Sequence, residues 1–140
     1  MRKTNLLNTK LSSAISEIGH TQWLTIGDSG LPIANDGRKI DLSVIRGLPS
    51  FIAVLAATLS EMKVQRVFLA EEIKSDNVEQ HRAILDLLDT DVEVVYIAHD
   101  ELKKMSRDEN NIATVRTGET TAFSNIILES NVDFTGEAIK

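Results

Sequence analysis

The sequence predicts an α/β fold: one compact domain built on a mainly parallel or mixed sheet flanked by helices. Three observations predict it. Runs rich in β-branched residues alternate along the chain with runs at helical spacing, the pattern of strands and helices packed in layers. At 140 residues the chain has the length of a single domain able to bury most of its unfolded surface. Hydrophobic residues make up 42% and charged residues 26%, a globular balance that argues against disorder. No internal repeat, low-complexity segment or linker divides residues 1–140. The chemistry must then come from the loops of one domain, or from loops completed by a neighbouring subunit.

Leu11, Ala14, Ile15 and Ile18 fall at helical spacing, and Gly19 offers a left-handed residue to stop that helix. Trp23 to Ile26 reads as a strand emptying into the turn formers Gly27-Asp28-Ser29-Gly30. Pro32, Asn35, Asp36 and Gly37 extend the irregular stretch, and loops at strand ends are where α/β proteins place ligands. Pro49 suits the first turn of a helix whose apolar face is Phe51, Ile52, Val54, Leu55, Leu59 and Met62. Val64 to Ala70 reads as a strand, Val78 to Leu88 as a helix, and Val92 to Ile97 as a second β-branched strand leading to His99. Asp100 to Met105 reads as a short helix. Ile112 to Arg116 and Asn125 to Leu128 are the last strands, separated by the polar turn Thr117 to Thr121, with a tail that frays beyond Leu128.

Composition narrows the function. A formal charge of −6 disfavours nonspecific contact with nucleic acid or an anionic membrane, both of which need concentrated positive charge. No cysteine is present, which removes disulfides, thiolate zinc sites and thiol nucleophiles from consideration and fits a cytoplasmic setting. The N-terminal segment turns polar at Asn8, Thr9 and Lys10 before a signal-peptide core develops, and no apolar stretch is long enough to span a bilayer. A neutral small ligand is the expected partner.

Three histidines are present, and histidine is the side chain whose ordinary pKa suits proton transfer at neutral pH. His20 and His99 follow expected elements and are orientable. Against catalysis, His20 at a helix end also suits simple capping, and His99 before Asp100 suits a helix start. His81, among Glu79, Gln80 and Arg82, reads as a solvated helix position. Asp28 is an acceptor for sugar hydroxyls or a partner fixing the tautomer of His20, with an Asx turn as the structural alternative. Gly27 and Gly30 lack the further glycine and the Lys-Ser/Thr pair of a phosphate loop. Glu71 and Glu72 read by default as a solvated helix start, and Arg116 with Glu119 as a surface ion pair. Phe123, Ser124 and Asn125 place a ring beside an amide, a combination suited to a sugar's C–H face and its hydroxyls. A metal set of His20, His99 and Asp28 lacks any close ligand spacing, and no G-x-S-x-G nucleophile turn occurs.

Ile18-Gly19-His20-Thr21, Asp28-Ser29-Gly30-Leu31-Pro32-Ile33, Ile40-Asp41-Leu42 and Gly47-Leu48-Pro49-Ser50-Phe51 occur in the order and spacing of the D-ribose pyranase family, which has fucose mutarotase relatives. Ala70-Glu71-Glu72-Ile73, Arg116-Thr117-Gly118-Glu119 and Asn125-Ile126-Ile127-Leu128 extend the resemblance over nearly the whole chain. The resemblance implies interconversion of pyranose and furanose forms of D-ribose by acid–base opening and reclosure of the hemiacetal, without metal or organic cofactor. It implies His20 as the catalytic residue and Asp28, His99 and the segment Phe123, Ser124, Asn125 as substrate contacts. The family usually has Tyr-Ala-Asn in that segment, so Phe123 removes a phenolic hydrogen bond here. It further implies a decamer of two stacked five-membered rings, with each site completed by a neighbour. The competing expectations are a mutarotase for another monosaccharide such as fucose and a non-catalytic sugar-binding or transport-associated module.

Overall fold

Asn8 starts the first helix: its side-chain oxygen accepts from the Leu11 N–H at 2.9 Å, satisfying a donor that the first turn leaves free. In the computed structural model, which describes residues 1–136 and Ile139, this helix α1 spans Thr9–Glu17. It ends earlier than the sequence suggests, because Ile18 is already extended. The left-handed residue of the turn is Thr21, φ 70°, not Gly19. Thr21 is held there by its own hydroxyl, which donates to the His20 carbonyl, and by its N–H, which donates to the Ser130 carbonyl at 2.9 Å.

The strands are β1 Trp23–Gly27, β2 Lys39–Asp41, β3 Val64–Ala70, β4 Glu93–Ile97, β5 Asn111–Arg116 and β6 Ile126–Ser130. The other helices are α2 Phe51–Leu59, α3 Ile73–Asp76, α4 Val78–Leu87 and α5 His99–Met105. Ser50 caps α2 by accepting from the Ala53 N–H, so Pro49 lies before the cap instead of in the first turn, and Met62 lies past the helix end. Asn77 caps α4 in the same way through the Gln80 N–H. β2 and α3 interrupt stretches with no periodic signal: each is too short to show one, and β2 exists because Lys39 to Asp41 pair with Thr114 to Arg116. The chain beyond Leu128 does not fray at once, since Glu129 and Ser130 complete β6 and are buried.

Among the described residues the domain is a six-stranded mixed sheet in the order β2-β5-β1-β6-β3-β4 with five helices packed around it. β1 pairs parallel with β5, β2 with β5, and β3 with β4, while β6 runs antiparallel between β1 and β3. Every strand except β6 therefore points the same way. The main core is built on Leu24, Ile26, Phe51, Leu55, Val67, Leu69, Ile126 and Leu128, all inaccessible to solvent. A smaller cluster of Ala70, Leu102 and Ile127 lies under α5.

Gly118 locks the turn after β5 onto the turn before α2. Its N–H donates to the Pro49 carbonyl at 2.8 Å, and a Cβ at this position would stand 2.5 Å from the Leu48 carbonyl oxygen and 2.6 Å from that of Ile45. Backbone cannot yield as a flexible side chain would, so Gly118→Ala is expected to cost about 1–3 kcal/mol, the usual range for overpacking. Thermal unfolding followed by circular dichroism checks this. An unchanged Tm would show that the two turns part freely.

Candidate active site

The strand directions decide which candidate residues can meet. Asp28 follows β1 and His99 follows β4, both at the carboxyl ends of parallel strands, whereas Phe123, Ser124 and Asn125 precede the antiparallel β6. All five therefore emerge at one edge of the sheet, the edge at which open α/β sheets bind ligands. His20 precedes β1 and lies at the other edge, beside Gln65 at the start of β3. At about 3.3 Å per residue along β1, His20 and Asp28 of one chain are roughly 20 Å apart. Asp28 consequently does not fix the tautomer of His20 in its own chain, and the set His20, His99 and Asp28 is not assembled within it.

Asp28 is fixed from three directions. Its N–H donates to Asn125 Oδ1 at 2.9 Å, its Oδ2 accepts from Asn125 Nδ2 at 3.1 Å, and its Oδ1 accepts from the Gly30 N–H at 2.9 Å. The last bond is the Asx turn the sequence suggests, and it coexists with a carboxylate presented at the sheet edge. Asn125 is wholly buried beneath it. This approach needs Gly27, where a Cβ would lie 3.0 Å from Asn125 Oδ1. Arg116 braces the same loop by donating to the Ser29 carbonyl at 3.1 Å, and it pairs with Asp41 at 3.3 Å, not with Glu119 as the sequence suggests.

His99 is the first residue of α5, and its N–H donates to both carboxylate oxygens of Glu72, at 3.1 and 3.2 Å. Glu72 thus anchors a helix start instead of lying in solvent. The His99 ring meets Phe123 edge to face, centroids 5.0 Å apart at 84°. Its Nδ1 is buried and is the one such side-chain atom among the described residues with no hydrogen-bond partner. Leaving a buried polar atom unpaired costs about 1–3 kcal/mol, while the ring as a whole is only half-buried.

Phe123 adopts the left-handed conformation, φ 57°, which is costly for a bulky residue and persists only where the surroundings impose it. Its ring packs against both hydrophobic clusters, and its loop is braced by polar contacts. The Ser124 hydroxyl is buried, 2.8 Å from Thr121 Oγ1 and 3.0 Å from Gln80 Nε2, while Asn77 Nδ2 donates to the Ala122 carbonyl at 2.8 Å. Ser124 therefore turns inward: its hydroxyl pins the loop that displays Phe123 and has no face open to a ligand. Glu119 completes the brace by accepting from the Phe51 N–H at 3.1 Å and from Thr121 Oγ1 at 3.0 Å. Burial pushes its carboxyl up, but those hydrogen bonds outweigh burial and hold it below the usual carboxylate range.

At the opposite edge His20 is exposed, with Nε2 3.0 Å from Gln65 Oε1. His81 belongs to neither edge cluster. It is half-buried and not solvated, with Nε2 2.6 Å from the Tyr96 hydroxyl, and burial together with the Lys74 charge pushes its pKa down. Gln65 and Gln80 carry no sequence signal of their own, because their partners lie between 44 and 64 positions away.

Comparison with known proteins adds to this geometry. The model of the RbsD / FucU transport protein family matches residues 1–133. A D-ribose pyranase of Staphylococcus epidermidis is 54% identical over 134 residues, covering 96% of this chain and 100% of the relative. A D-ribose pyranase of Staphylococcus carnosus is 52% identical over the same shares. Among solved structures, Bacillus subtilis RbsD complexed with D-ribose superposes with a TM-score of 0.88 at 37% identity, over 96% of this chain and 100% of that one. The fucose mutarotase from Streptococcus pneumoniae in complex with L-fucose gives 0.71 at 20% identity, over 90% and 94%, a likeness of fold alone.

Proposed function

The chain belongs to the RbsD / FucU transport protein family, and on that premise we propose that it is an isomerase interconverting the pyranose and furanose rings of D-ribose. The observation that carries this reading is the match, over the full length of the relatives, to proteins named D-ribose pyranase. The edge cluster of Asp28, His99 and Phe123 supplies a matching chemistry.

The reaction is proton transfer as one C–O bond at C1 breaks and another forms. His20 gives a proton to the ring oxygen as its bond to C1 breaks, and the anomeric hydroxyl loses its proton to water, leaving an open aldehyde. The hydroxyl on C4 then attacks C1, His20 takes its proton back, and the former carbonyl oxygen is protonated to close the furanose. This is general acid–base work suited to an imidazole. Asp28 accepts from sugar hydroxyls, the half-buried imidazole of His99 offers a second polar contact, and Phe123 packs on the C–H face. Asn125 and Ser124 act from beneath, the first by holding Asp28 and the second by holding the Phe123 loop. Such fixing lowers the entropic cost of the reactive geometry.

Since His20 lies at the far edge of its own sheet, the site is completed by His20 of a neighbouring subunit. Exposed Val44, Ile45 and Leu48 support burial against another copy, and we assign the assembly as a decamer of two five-membered rings. No helix among the described residues is long and apolar enough to cross a membrane, and we place the enzyme in the cytoplasm.

Magnetisation-transfer NMR on equilibrated sugars tests the activity. With protein present, D-ribose should show accelerated exchange between pyranose and furanose signals. Acceleration confined to the anomers of fucose would identify a mutarotase for that sugar instead, and ribose binding with no accelerated exchange would identify a transport-associated binding module.

A further inference from the structure

Near the end of β6 lies a buried carboxylate to which the ring chemistry assigns no role. Glu129 is 6% exposed; its Oε1 accepts from Trp23 Nε1 at 3.2 Å and its Oε2 from Gln65 Nε2 at 2.8 Å, with Arg66 3.5 Å from Oε2. The other end of the Gln65 amide, Oε1, stands 3.0 Å from His20 Nε2. The three side chains form a line from the sheet interior to the exposed imidazole.

The chemistry of that line has one solution. A carboxylate only accepts, so the NH2 of Gln65 must face Glu129. The Gln65 carbonyl must then face His20, and a carbonyl also only accepts, so His20 Nε2 must carry hydrogen. Flipping the amide would set two acceptor oxygens against each other in the partly buried contact of Gln65 with Glu129, a costly arrangement. We propose that Glu129 and Gln65 are positioning residues that hold His20 in the Nε2–H form, leaving Nδ1 as the atom that gives and takes the sugar's proton. The proposal rests on the reading of His20 as the acid. It assigns a purpose to a buried charge and explains how an exposed side chain keeps one orientation.

The test is Glu129→Gln. The indole N–H of Trp23 would draw the new amide oxygen, turning the new NH2 toward Gln65. Gln65 would then flip and present its own NH2 to His20, which must answer with a bare Nε2 and a protonated Nδ1. Gln65→Lys is the second variant, since its ammonium satisfies Glu129 and offers His20 only donors. Tautomers are read in the assembled protein by 15N NMR of labelled histidine above the imidazole titration, with the His20 signals assigned by their loss in His20→Ala. Wild type should show pyrrole-type Nε2 and pyridine-type Nδ1; either variant should reverse or mix them. Ring exchange should slow about 10- to 100-fold, as when outer partners of a metal-bound imidazole are removed, with ribose affinity little changed. A wild-type Nδ1–H, or an unaltered tautomer in the variant that folds, overturns the relay whatever the activity. A reversed tautomer with undiminished exchange instead overturns the catalytic reading of His20.

Discussion

His20→Ala is expected to fold, bind D-ribose and exchange its ring forms about 10²–10⁴-fold more slowly than wild type, the range for loss of a general acid. The folding part follows from position. His20 is exposed between α1 and β1, and its side chain makes one hydrogen bond, to Gln65, so truncation opens no cavity and strands no buried group. The turn is held independently by Thr21 and by Gln22, whose Oε1 accepts from the Gly19 N–H at 2.7 Å. The binding part follows from separation, since Asp28, His99 and Phe123 lie at the other sheet edge and keep every partner they have. Magnetisation transfer gives the exchange rate and calorimetry the ribose affinity. Exchange at the wild-type rate would reduce His20 to a turn residue and remove the mechanism.

The sequence made the long elements legible and hid the short ones for one physical reason: periodicity needs length. Val64 to Ala70 was bounded at both ends, and Val92 to Ile97 began one residue before β4. β2 and α3, three and four residues long, have too few positions to show a period, and β2 owes its form to β5. The candidate residues Asp28, His99 and Phe123 were visible by type, Asp28 and Phe123 in loops beside element ends and His99 at the start of α5. Their directions were not. Nothing local says that Phe123 turns left-handed, so the Ser124 hydroxyl could be read as facing a ligand when it faces Gln80 and Thr121. Residues acting through others were the least visible of all. Glu129 sits in an apolar strand and Gln65 in another, and only the antiparallel pairing of β6 with β3 brings their side chains together. The resemblance to a known family singled out His20, and the strand read over Trp23 to Ile26 already stood between His20 and Asp28, so their separation was legible although the sequence reading still paired them.

Activity should be rebuilt from two inactive proteins. His20→Ala chains keep an intact Asp28, His99 and Phe123 edge, while His99→Ala chains keep an intact His20. His99→Ala is chosen over Asn125→Ala because Asn125 is wholly buried and satisfies both the N–H and the carboxylate of Asp28, so its loss would confound folding with function. His99 instead leaves α5 anchored through its backbone N–H on Glu72. If each site joins the His20 of one subunit to the edge cluster of its neighbour, equal mixing after dissociation gives about a quarter of the sites both histidines, because a head-to-tail ring repeats one contact around its circumference. Exchange should then return to about a quarter of the wild-type rate per site. Mixing without dissociation should recover nothing, which separates reassembly from any effect of added protein. Were both histidines drawn from the same chain, every site would retain one defect at any mixing ratio. Mixed oligomers verified by native mass spectrometry yet inactive in ring exchange would sink the shared site, and with it the explanation of why one chain holds its proposed acid and its proposed sugar contacts roughly 20 Å apart, the length of a β1-sized strand and its flanking turns.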